Sequence, residues 1–376
     1  MTRFPNRFVA LSCALLAGTL LASCASDPSD NARTQGSTPS ASPLTVASDP
    51  PNAAAGSGKD SSAKPTPRDA SSKPAEPSES TSSPKADSEG EAQAQAPAKR
   101  PDAPDASRTR IASSLPNGDE QVLEDRRMVA LYGVPGTPEL GALGEQSLAK
   151  SITRVKRLAN SYDGLTKDDV VPTFELIASV ASTSAGDDGN FSSELSLSTL
   201  RPWVERAGRE GVYVVLDLQP GRADFVRQAK RYAPLLEYPH VGLALDPEWR
   251  LGPKQRHLEQ IGSVRASEVN DTIDWLGEFT QRHDLPQKLL VLHQFRHSMV
   301  TNRKDVRTGH DAVSVLIHAD GQGTQGDKRS TWKALHKGAP KGVRWGWKNF
   351  IDEDHPMLTP KQTYQVTPAP DFVSYQ

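Results

Sequence analysis

Two carboxylic acids separated by one residue, Asp246 and Glu248, are the leading candidates for chemistry in this chain. They follow Val241–Leu245, an apolar run with the length and composition of a buried strand. Two residues apart on one strand face, their Cα atoms would lie about 7 Å apart. Rotamers would then bring the carboxyls within the roughly 5–9.5 Å used in glycoside hydrolysis, where one acid donates a proton and the other acts as base, nucleophile or charge stabiliser.

Two neighbours of this pair suit the same chemistry. Pro247 stiffens the spacing between the acids, and Trp249 offers a flat apolar face to a sugar ring. The string resembles the Asp-x-Glu strand end of wall-degrading muramidases built on barrels, over three residues. That resemblance implies that Glu248 is the acid and Asp246 its partner.

The elements that must position these acids alternate from about residue 126 to the end of the chain. Strand-like runs are Met128–Tyr132, Val170–Ile177, Val212–Leu218, Val241–Leu245, Lys288–Gln294, Ala312–Ile317, Gly342–Trp347 and Phe372–Tyr375. Helical patterns between them include Ser147–Tyr162, Phe225–Leu236 and Ala266–His283. This alternation predicts a (β/α)8 TIM-type barrel. The alternative is an open doubly wound sheet, which a G-x-G-x-x-G turn after the first strand would have favoured; that turn is absent from the sequence there.

Alternation within the strands predicts which other polar side chains share the site, because every second residue of a barrel strand points inward. Asp246 and Glu248 would face inward with the small residues of their strand, at the end where barrel active sites lie. Further candidates for substrate binding there are Tyr132, Glu175, Asp217, His293, Gln294, His318, Asp320 and Lys348. His293 and Gln294 fall on opposite faces, so one of them reaches the mouth whichever parity holds.

Each of these residues has an expected role or an alternative. We expect Asp217 and His293 to position substrate, Glu175 and Tyr132 to complete a polar floor, and Lys348 to pair with an acid. The acids and bases could instead neutralise one another at the rim, and Asp217 could form an ion pair with Arg222.

A metal centre is a further alternative. Ligand types that could converge on one ion are His293, His318, Asp217, Asp246 and Asp320. The barrel histidines come one per strand, without a His-x-His or His-Glu-x-x-His cluster. We therefore predict no metal and no cofactor.

Three later segments are predicted to have no direct part in the chemistry. Residues 320–326 match G-x-G-x-x-G without the ending of a P-loop, so a mobile loop over the mouth is expected. Trp345 and Trp347 are expected to pack against the outer helices. The acidic run Asp352–His355 is expected to be a solvated loop.

The first 24 residues predict export. Arg3 and Arg7 precede the apolar run Phe8–Leu21, which is shorter than the roughly 18 residues of a spanning helix. The ending Leu21-Ala-Ser-Cys24 resembles the lipobox of bacterial lipoproteins, which implies acylation of Cys24 and a lipid anchor on the outer face of the cell membrane. An ordinary signal with a chance cysteine is the alternative. Without the signal no cysteine pair remains, so no disulfide is expected.

Residues 25–110 predict a disordered tether. They contain no aromatic residue, and Leu44 and Val46 are their only large aliphatics. Such a segment cannot bury enough apolar surface to fold, and as a coil it would span on the order of 50 Å. We expect a spacer between the anchor and a folded domain at 111–376; a non-functional low-complexity tail is the alternative. The net charge of −2 and the lack of a basic stripe argue against nucleic acid as a partner.

Several strings resemble a family of actinobacterial lipoproteins with a glycoside-hydrolase-like TIM-barrel domain. They are Tyr132–Gly136, Phe174–Ala178, Leu216–Arg222, Leu245–Trp249, Val291–Phe295 and Val373–Gln376. The resemblance covers nearly all of the folded domain and implies a glycosidase-like barrel without a defined substrate. The sequence thus predicts a monomeric, tethered barrel that binds and hydrolyses an envelope or wall glycan. The alternatives are a non-catalytic glycan-binding barrel and a metal-dependent hydrolase.

Overall fold

The computed structural model describes Leu115 and residues 120–376. The expected signal segment 1–24, the lipidation site Cys24 and the tether 25–110 lie outside the described residues. Within the described part, none of the helices combines the length and the apolar character needed to cross a membrane.

Eight parallel strands close on themselves to form a barrel. They are β1 (Arg126–Gly133), β2 (Asp169–Ala181), β3 (Tyr213–Leu218), β4 (Val241–Leu245), β5 (Lys288–Gln294), β6 (Val313–Ala319), β7 (Arg344–Asn349) and β8 (Phe372–Tyr375). Each strand pairs with the next along the chain, and β8 pairs back to β1, which closes the sheet. The predicted TIM-type barrel is confirmed.

Helices follow most strands and cover the outside of the barrel. They are α1 (Leu148–Asn160), α2 (Leu197–Arg209), α3 (Phe225–Arg231), α4 (Ala233–Leu236), α5 (Ala266–Arg282), α6 (Gln325–His336) and α7 (Pro360–Tyr364). The single helix expected from Phe225 to Leu236 is divided in two. Pro234 lies in the first turn of α4, where its missing N–H is tolerated, whereas it would interrupt a continuous helix.

Short elements decorate the loops. The strand Ser192–Glu194 pairs antiparallel with the end of β2, and the two-residue strands Val264–Arg265 and Val300–Thr301 pair with each other. Single turns of 3-10 helix lie at Pro138–Leu140, Pro247–Trp249, His297–Met299 and Arg303–Asp305.

Two apolar layers hold the barrel together. Val241, Leu243 and Leu245 of β4 face outward and join the layer between strands and helices. Ala244 faces inward and packs with the other interior side chains. Burial of each large aliphatic side chain stabilises the fold by roughly 1.5–3 kcal/mol. The predicted parity of β4 is therefore confirmed, because the large residues are on the helix side.

The N-terminal end of the barrel is closed by the segment before β1. Leu115, Val122 and Leu123 are buried and pack in one cluster with interior residues such as Met128 and Phe372. This segment forms an apolar floor, and the C-terminal strand ends form the opposite mouth.

The two tryptophans of β7 lie on the outer face of the barrel, as predicted. The rings of Trp345 and Trp347 each lie 5.6 Å from the ring of Trp332 in α6, in edge-to-face geometry. Because these residues face the helices, Gly346 and Lys348 between and after them face the interior.

Candidate active site

Polar side chains converge inside the barrel at the C-terminal ends of all eight strands. In chain order they are Tyr132, Glu175, Asp217, Asp246, His293, His318, Asp320, Lys348 and Ser374. All of them are buried except Asp320, whose side chain is 9% exposed. Strand alternation explains the convergence, because each of these residues has the inward parity of its strand or follows its end.

His293 lies between two carboxylates. Its Nε2 is 3.0 Å from Glu175 Oε1, and its Nδ1 is 2.9 Å from Asp320 Oδ2. Burial opposes a charged ring, but the charges of Glu175 and Asp320 outweigh it and raise the pKa of His293 well above its usual value. The ring is therefore an imidazolium that bridges the two acids.

His318 lies beside His293 but, unlike it, is uncharged. Its Nε2 is 3.2 Å from Ser374 Oγ, and its Nδ1 is 4.0 Å from Glu175 Oε1. Burial lowers the pKa of His318 to about 3, so this ring is neutral. Ser374 is a site residue that the sequence interpretation missed, although its parity with Phe372 in β8 places it inside.

Lys348 supplies the second positive charge of the cluster, and it pairs with an acid as predicted. Its Nζ lies 3.1 Å from Asp320 Oδ1 and 3.6 Å from the centroid of the Tyr132 ring. Burial opposes the ammonium, but Asp320 and the other carboxylates raise the pKa of Lys348. Lys348 and His293 together hold the pKa of Asp320 below its usual range, despite burial.

Asp217 accepts a hydrogen bond from the Tyr132 hydroxyl at 3.0 Å. Burial raises the pKa of Asp217 to about 6, against the opposing charge of His293. The alternative ion pair with Arg222 is not formed. The Arg222 guanidinium instead lies 4.3 Å from the centroid of the Phe191 ring.

The chain leaves β4 in a way that the sequence did not predict. The strand ends at Leu245, and Pro247–Trp249 forms a 3-10 turn. Asp246 precedes this turn, and its Oδ1 accepts a hydrogen bond from the Glu248 N–H at 3.1 Å. The expectation that both acids extend one strand face is therefore wrong, because a proline with fixed φ starts a turn between them.

The two acids nevertheless differ in their exposure to solvent. Asp246 is 3% exposed, whereas Glu248 is partly exposed beside Trp249. Burial and then the negative charge of Asp320 raise the pKa of Glu248 to about 7. Burial and the neighbouring carboxylates also raise the pKa of Asp246 well above its usual value. Glu248 is thus a carboxyl at the mouth that retains a proton near neutral pH.

Trp249 is partly exposed at the edge of this turn. Its ring lies 5.4 Å from the ring of His257 in edge-to-face geometry. The indole is therefore packed against His257 and is in part accessible to solvent.

Two predicted placements need correction. Gln294 is buried on the opposite strand face from His293, and its Nε2 donates to the Arg296 carbonyl at 3.4 Å, so it does not join the cluster. Asp354 is not solvated with its neighbours but buried, and its Oδ2 lies 2.9 Å from Lys328 Nζ.

The Asp354–Lys328 pair also holds the glycine-rich loop that was expected to be mobile. Asp354 accepts a hydrogen bond from Gly323 N–H at 3.0 Å, and Lys328 donates to the Gly321 carbonyl at 2.6 Å. These contacts fix the backbone of the loop beside the mouth.

Part of the cluster has the composition of a metal site. Glu175, His293 and His318 each offer one ligand atom, and these atoms all lie within 4.8 Å of one another. A separate groove of about 540 Å³ lies at the opposite end of the barrel, lined in part by Gln121, Gln287 and Arg344, and it contains none of the clustered acids of the mouth.

Comparisons with known proteins identify no family for this chain. No family model matches the sequence, and neither does any curated protein. Among solved structures, oxaloacetate acetylhydrolase is 12% identical with a TM-score of 0.38, covering 67% of this chain and 75% of that one. A cellulase is 14% identical with a TM-score of 0.38, covering 67% of this chain and 76% of that one.

A dihydropteroate synthase from Xanthomonas albilineans is 12% identical with a TM-score of 0.31, covering 67% of this chain and 88% of that one. Similarity at this level carries no conclusion about this chain. The chemistry must therefore be argued from the side chains.

Proposed function

We propose that the barrel binds and hydrolyses a glycan, with Glu248 as general acid and Asp246 as base or electrostatic partner. One observation carries the proposal: Glu248 is a partly exposed carboxyl at the mouth, and burial beside Asp320 raises its pKa to about 7. A glycosidic bond breaks when its oxygen receives a proton, and a donor is most effective when its pKa is near the working pH.

The buried charges beneath Glu248 support this chemistry. His293 and Lys348 keep Asp320 ionised, so a fixed carboxylate lies below the mouth. The sugar carbon gains positive charge as the bond to the leaving oxygen breaks, and a preorganised negative group stabilises that charge. Water then completes the reaction at this carbon.

Substrate is held at the rim in this proposal. Trp249 stacks on a sugar ring through its open surface, since flat apolar rings suit the face of a pyranose. Asp217 and His293 act from below, as positioning residues. Gln294 has no part, because it faces away from the mouth.

The substrate that we propose is a glycan of the cell envelope or wall. The support is the lipobox-like string Leu21–Cys24, the apolar-poor composition of residues 25–110 and the resemblance to actinobacterial lipoproteins. Acylated Cys24 anchors the chain on the outer face of the membrane, and the tether lets a monomeric barrel reach the surrounding glycan.

The test uses the full-length chain purified in detergent and incubated with wall material and a panel of soluble glycans. New reducing ends are measured for the wild type, Glu248→Gln and Asp246→Asn. Glu278→Gln is the matched control, because Glu278 is an exposed carboxyl on the outer helix α5. We expect release by the wild type and the control and losses of about 100-fold or more in the two site variants.

The outcomes separate the candidate functions. Release that survives both site variants would move the chemistry away from the mouth acids and overturn the assignment. Retention on wall material without release by any variant would identify a non-catalytic glycan-binding barrel instead.

A further inference from the structure

Three polar atoms in the deepest layer of the mouth have no hydrogen-bond partner among the residues that the structure describes. They are Glu175 Oε2, Asp217 Oδ1 and His318 Nδ1, and they belong to side chains that are 0% exposed. Burial of a polar atom without a partner is costly, and native proteins contain few such atoms. A group of three in one place therefore requires a physical explanation.

One ligand atom each of Glu175, His293 and His318 lies within 4.8 Å of the other two. His293 Nε2 lies 3.0 Å from Glu175 Oε1 and 3.8 Å from Asp217 Oδ1. His318 Nδ1 lies 4.0 Å from Glu175 Oε1. Ligands of a tetrahedral zinc ion, bound at about 2.0–2.2 Å, lie about 3.3–3.6 Å from one another. The separations of His293 Nε2 and His318 Nδ1 from Glu175 Oε1, 3.0 and 4.0 Å, lie on either side of this range.

The far sides of both histidines are already held by other residues. His293 Nδ1 contacts Asp320 Oδ2 at 2.9 Å, and His318 Nε2 lies 3.2 Å from Ser374 Oγ. The Tyr132 hydroxyl donates to the second oxygen of Asp217. Outer partners of this kind fix the tautomer and orientation of metal-binding histidines. They leave His293 Nε2 and His318 Nδ1 on the side of Glu175.

We infer that Glu175, His293 and His318 bind one divalent transition-metal ion of the zinc class beneath the mouth, with the Asp217 carboxylate next to this set. Two imidazole nitrogens with a carboxylate oxygen suit zinc and its neighbours better than calcium or magnesium, which prefer oxygen ligands. The ion takes the place of the proton on His293 Nε2. This inference goes beyond the proposed hydrolysis and does not depend on it.

The first experiment measures metal content. The full-length protein is equilibrated with excess Zn²⁺, freed of unbound ion, and analysed by elemental mass spectrometry. We expect about one ion per chain in the wild type and its loss in Glu175→Gln and His318→Gln. Ser374→Ala keeps both ligands but loses the outer partner of His318, so its affinity should fall about 10–100-fold.

Asp246→Asn is the matched control, since Asp246 is also a buried carboxyl of the mouth but lies outside the ligand set. It should retain the ion while losing any glycan hydrolysis. If the wild type binds the metal but does not hydrolyse glycans, this inference is supported and the proposed function is contradicted. If it hydrolyses glycans but binds no metal, the proposed function is supported and this inference is contradicted.

A second experiment needs no site variant and so is independent of their folding. Zn²⁺ at 100-fold above its Kd should raise the wild-type thermal midpoint by roughly 5–10 °C. Co²⁺ in the same site should give the intense visible absorption of a tetrahedral ion with nitrogen ligands. Equal metal content in all well-folded variants, or a wild type with neither bound ion nor midpoint shift, would overturn the inference.

Discussion

Asp246 Oδ1 accepts a hydrogen bond from the backbone N–H of Glu248 at 3.1 Å, so one acid determines where the other is placed. This bond caps the 3-10 turn that ends β4. Asp246 is buried and Glu248 is partly exposed, so the turn places Glu248 at the mouth. Glu248 nevertheless stays close enough to Asp320 for that negative charge, together with burial, to raise its pKa.

Two substitutions at Asp246 separate its capping role from its charge. Asn keeps an oxygen that can accept the Glu248 N–H bond, whereas Ala does not. We expect hydrolysis to fall about 100-fold in both variants. The free energy of unfolding should be about 1 kcal/mol lower in Asp246→Ala than in Asp246→Asn, because only the alanine variant loses the cap. Urea unfolding with parallel rate measurements checks this. Equal stability of the two variants would show that the cap is not energetically significant.

The pH dependence of hydrolysis should report the protonation of Glu248. The reaction needs the protonated carboxyl, so kcat/KM should fall as pH rises through about 7, by about tenfold per pH unit beyond it. A glycoside with a strongly acidic aryl leaving group provides the control, since its departure needs no proton and the alkaline limb should flatten. A rate that is constant from pH 6 to about pH 9 on the natural linkage contradicts the role of Glu248.

Tyr132→Phe removes the hydroxyl that donates to Asp217. The buried carboxyl then loses a partner, and we expect a loss of about 1–3 kcal/mol in the free energy of unfolding. Tyr364→Phe is the matched control. The Tyr364 hydroxyl is buried and has no hydrogen-bond partner in the described part of the chain, so its removal should cost almost nothing. Equal losses in the two variants would indicate that ring packing, and not the hydrogen bond, is being measured.

Lys348→Met should be among the most damaging single changes in the barrel. It leaves Asp320 buried without its ammonium partner, and breaking a buried ion pair in this way costs about 3–5 kcal/mol of unfolding free energy. Lys341→Met removes an exposed lysine near the start of the same strand and should change stability by less than about 0.5 kcal/mol. Chemical denaturation of both variants gives the comparison.

Burial of Lys288 should make the free energy of unfolding depend on pH in the alkaline range. It is 0% exposed, its Nζ donates to the Tyr238 carbonyl at 2.6 Å, and burial lowers its pKa to about 7. Between about pH 7 and pH 10.4 the unfolded chain binds a proton that the folded chain does not, so this lysine favours folding increasingly as pH rises.

The check is the difference in unfolding free energy between the wild type and Lys288→Met, measured by urea at several pH values. Relative to the variant, the wild type should gain roughly 1.4 kcal/mol per pH unit within this window and little above it. Curves that run parallel would mean that Lys288 remains charged in the folded protein.

The fold and the inward-facing residues could be predicted from the sequence because both depend on local alternation. Large aliphatics on one parity of β4 and small residues on the other specify the two faces without knowledge of partners. The same rule placed Glu175 and Lys348 inside the barrel, whereas it left open which of His293 and Gln294 faces the mouth.

The remaining features depend on contacts between distant parts of the chain. From the sequence, Asp354 is predicted to belong to a solvated acidic run. The ion pair with Lys328 at 2.9 Å exists only because the fold brings the two residues together. Likewise the charge states of His293 and His318 differ because only one of the rings contacts two carboxylates. Periodicity does not predict such pairings. The sequence offered His293 and His318 as ligand types that could converge on one ion, as an alternative interpretation, but it did not offer Glu175 as a third ligand.

The apolar floor formed by Leu115, Val122 and Leu123 has a practical consequence for attachment. The chain enters the barrel at this end, whereas Gln376 follows β8 at the other and donates its N–H to the Asn349 carbonyl at 3.0 Å. A tag or fusion partner added after Gln376 would stand beside the mouth and obstruct large ligands. Immobilisation through the N-terminal side would leave that entrance facing the solution.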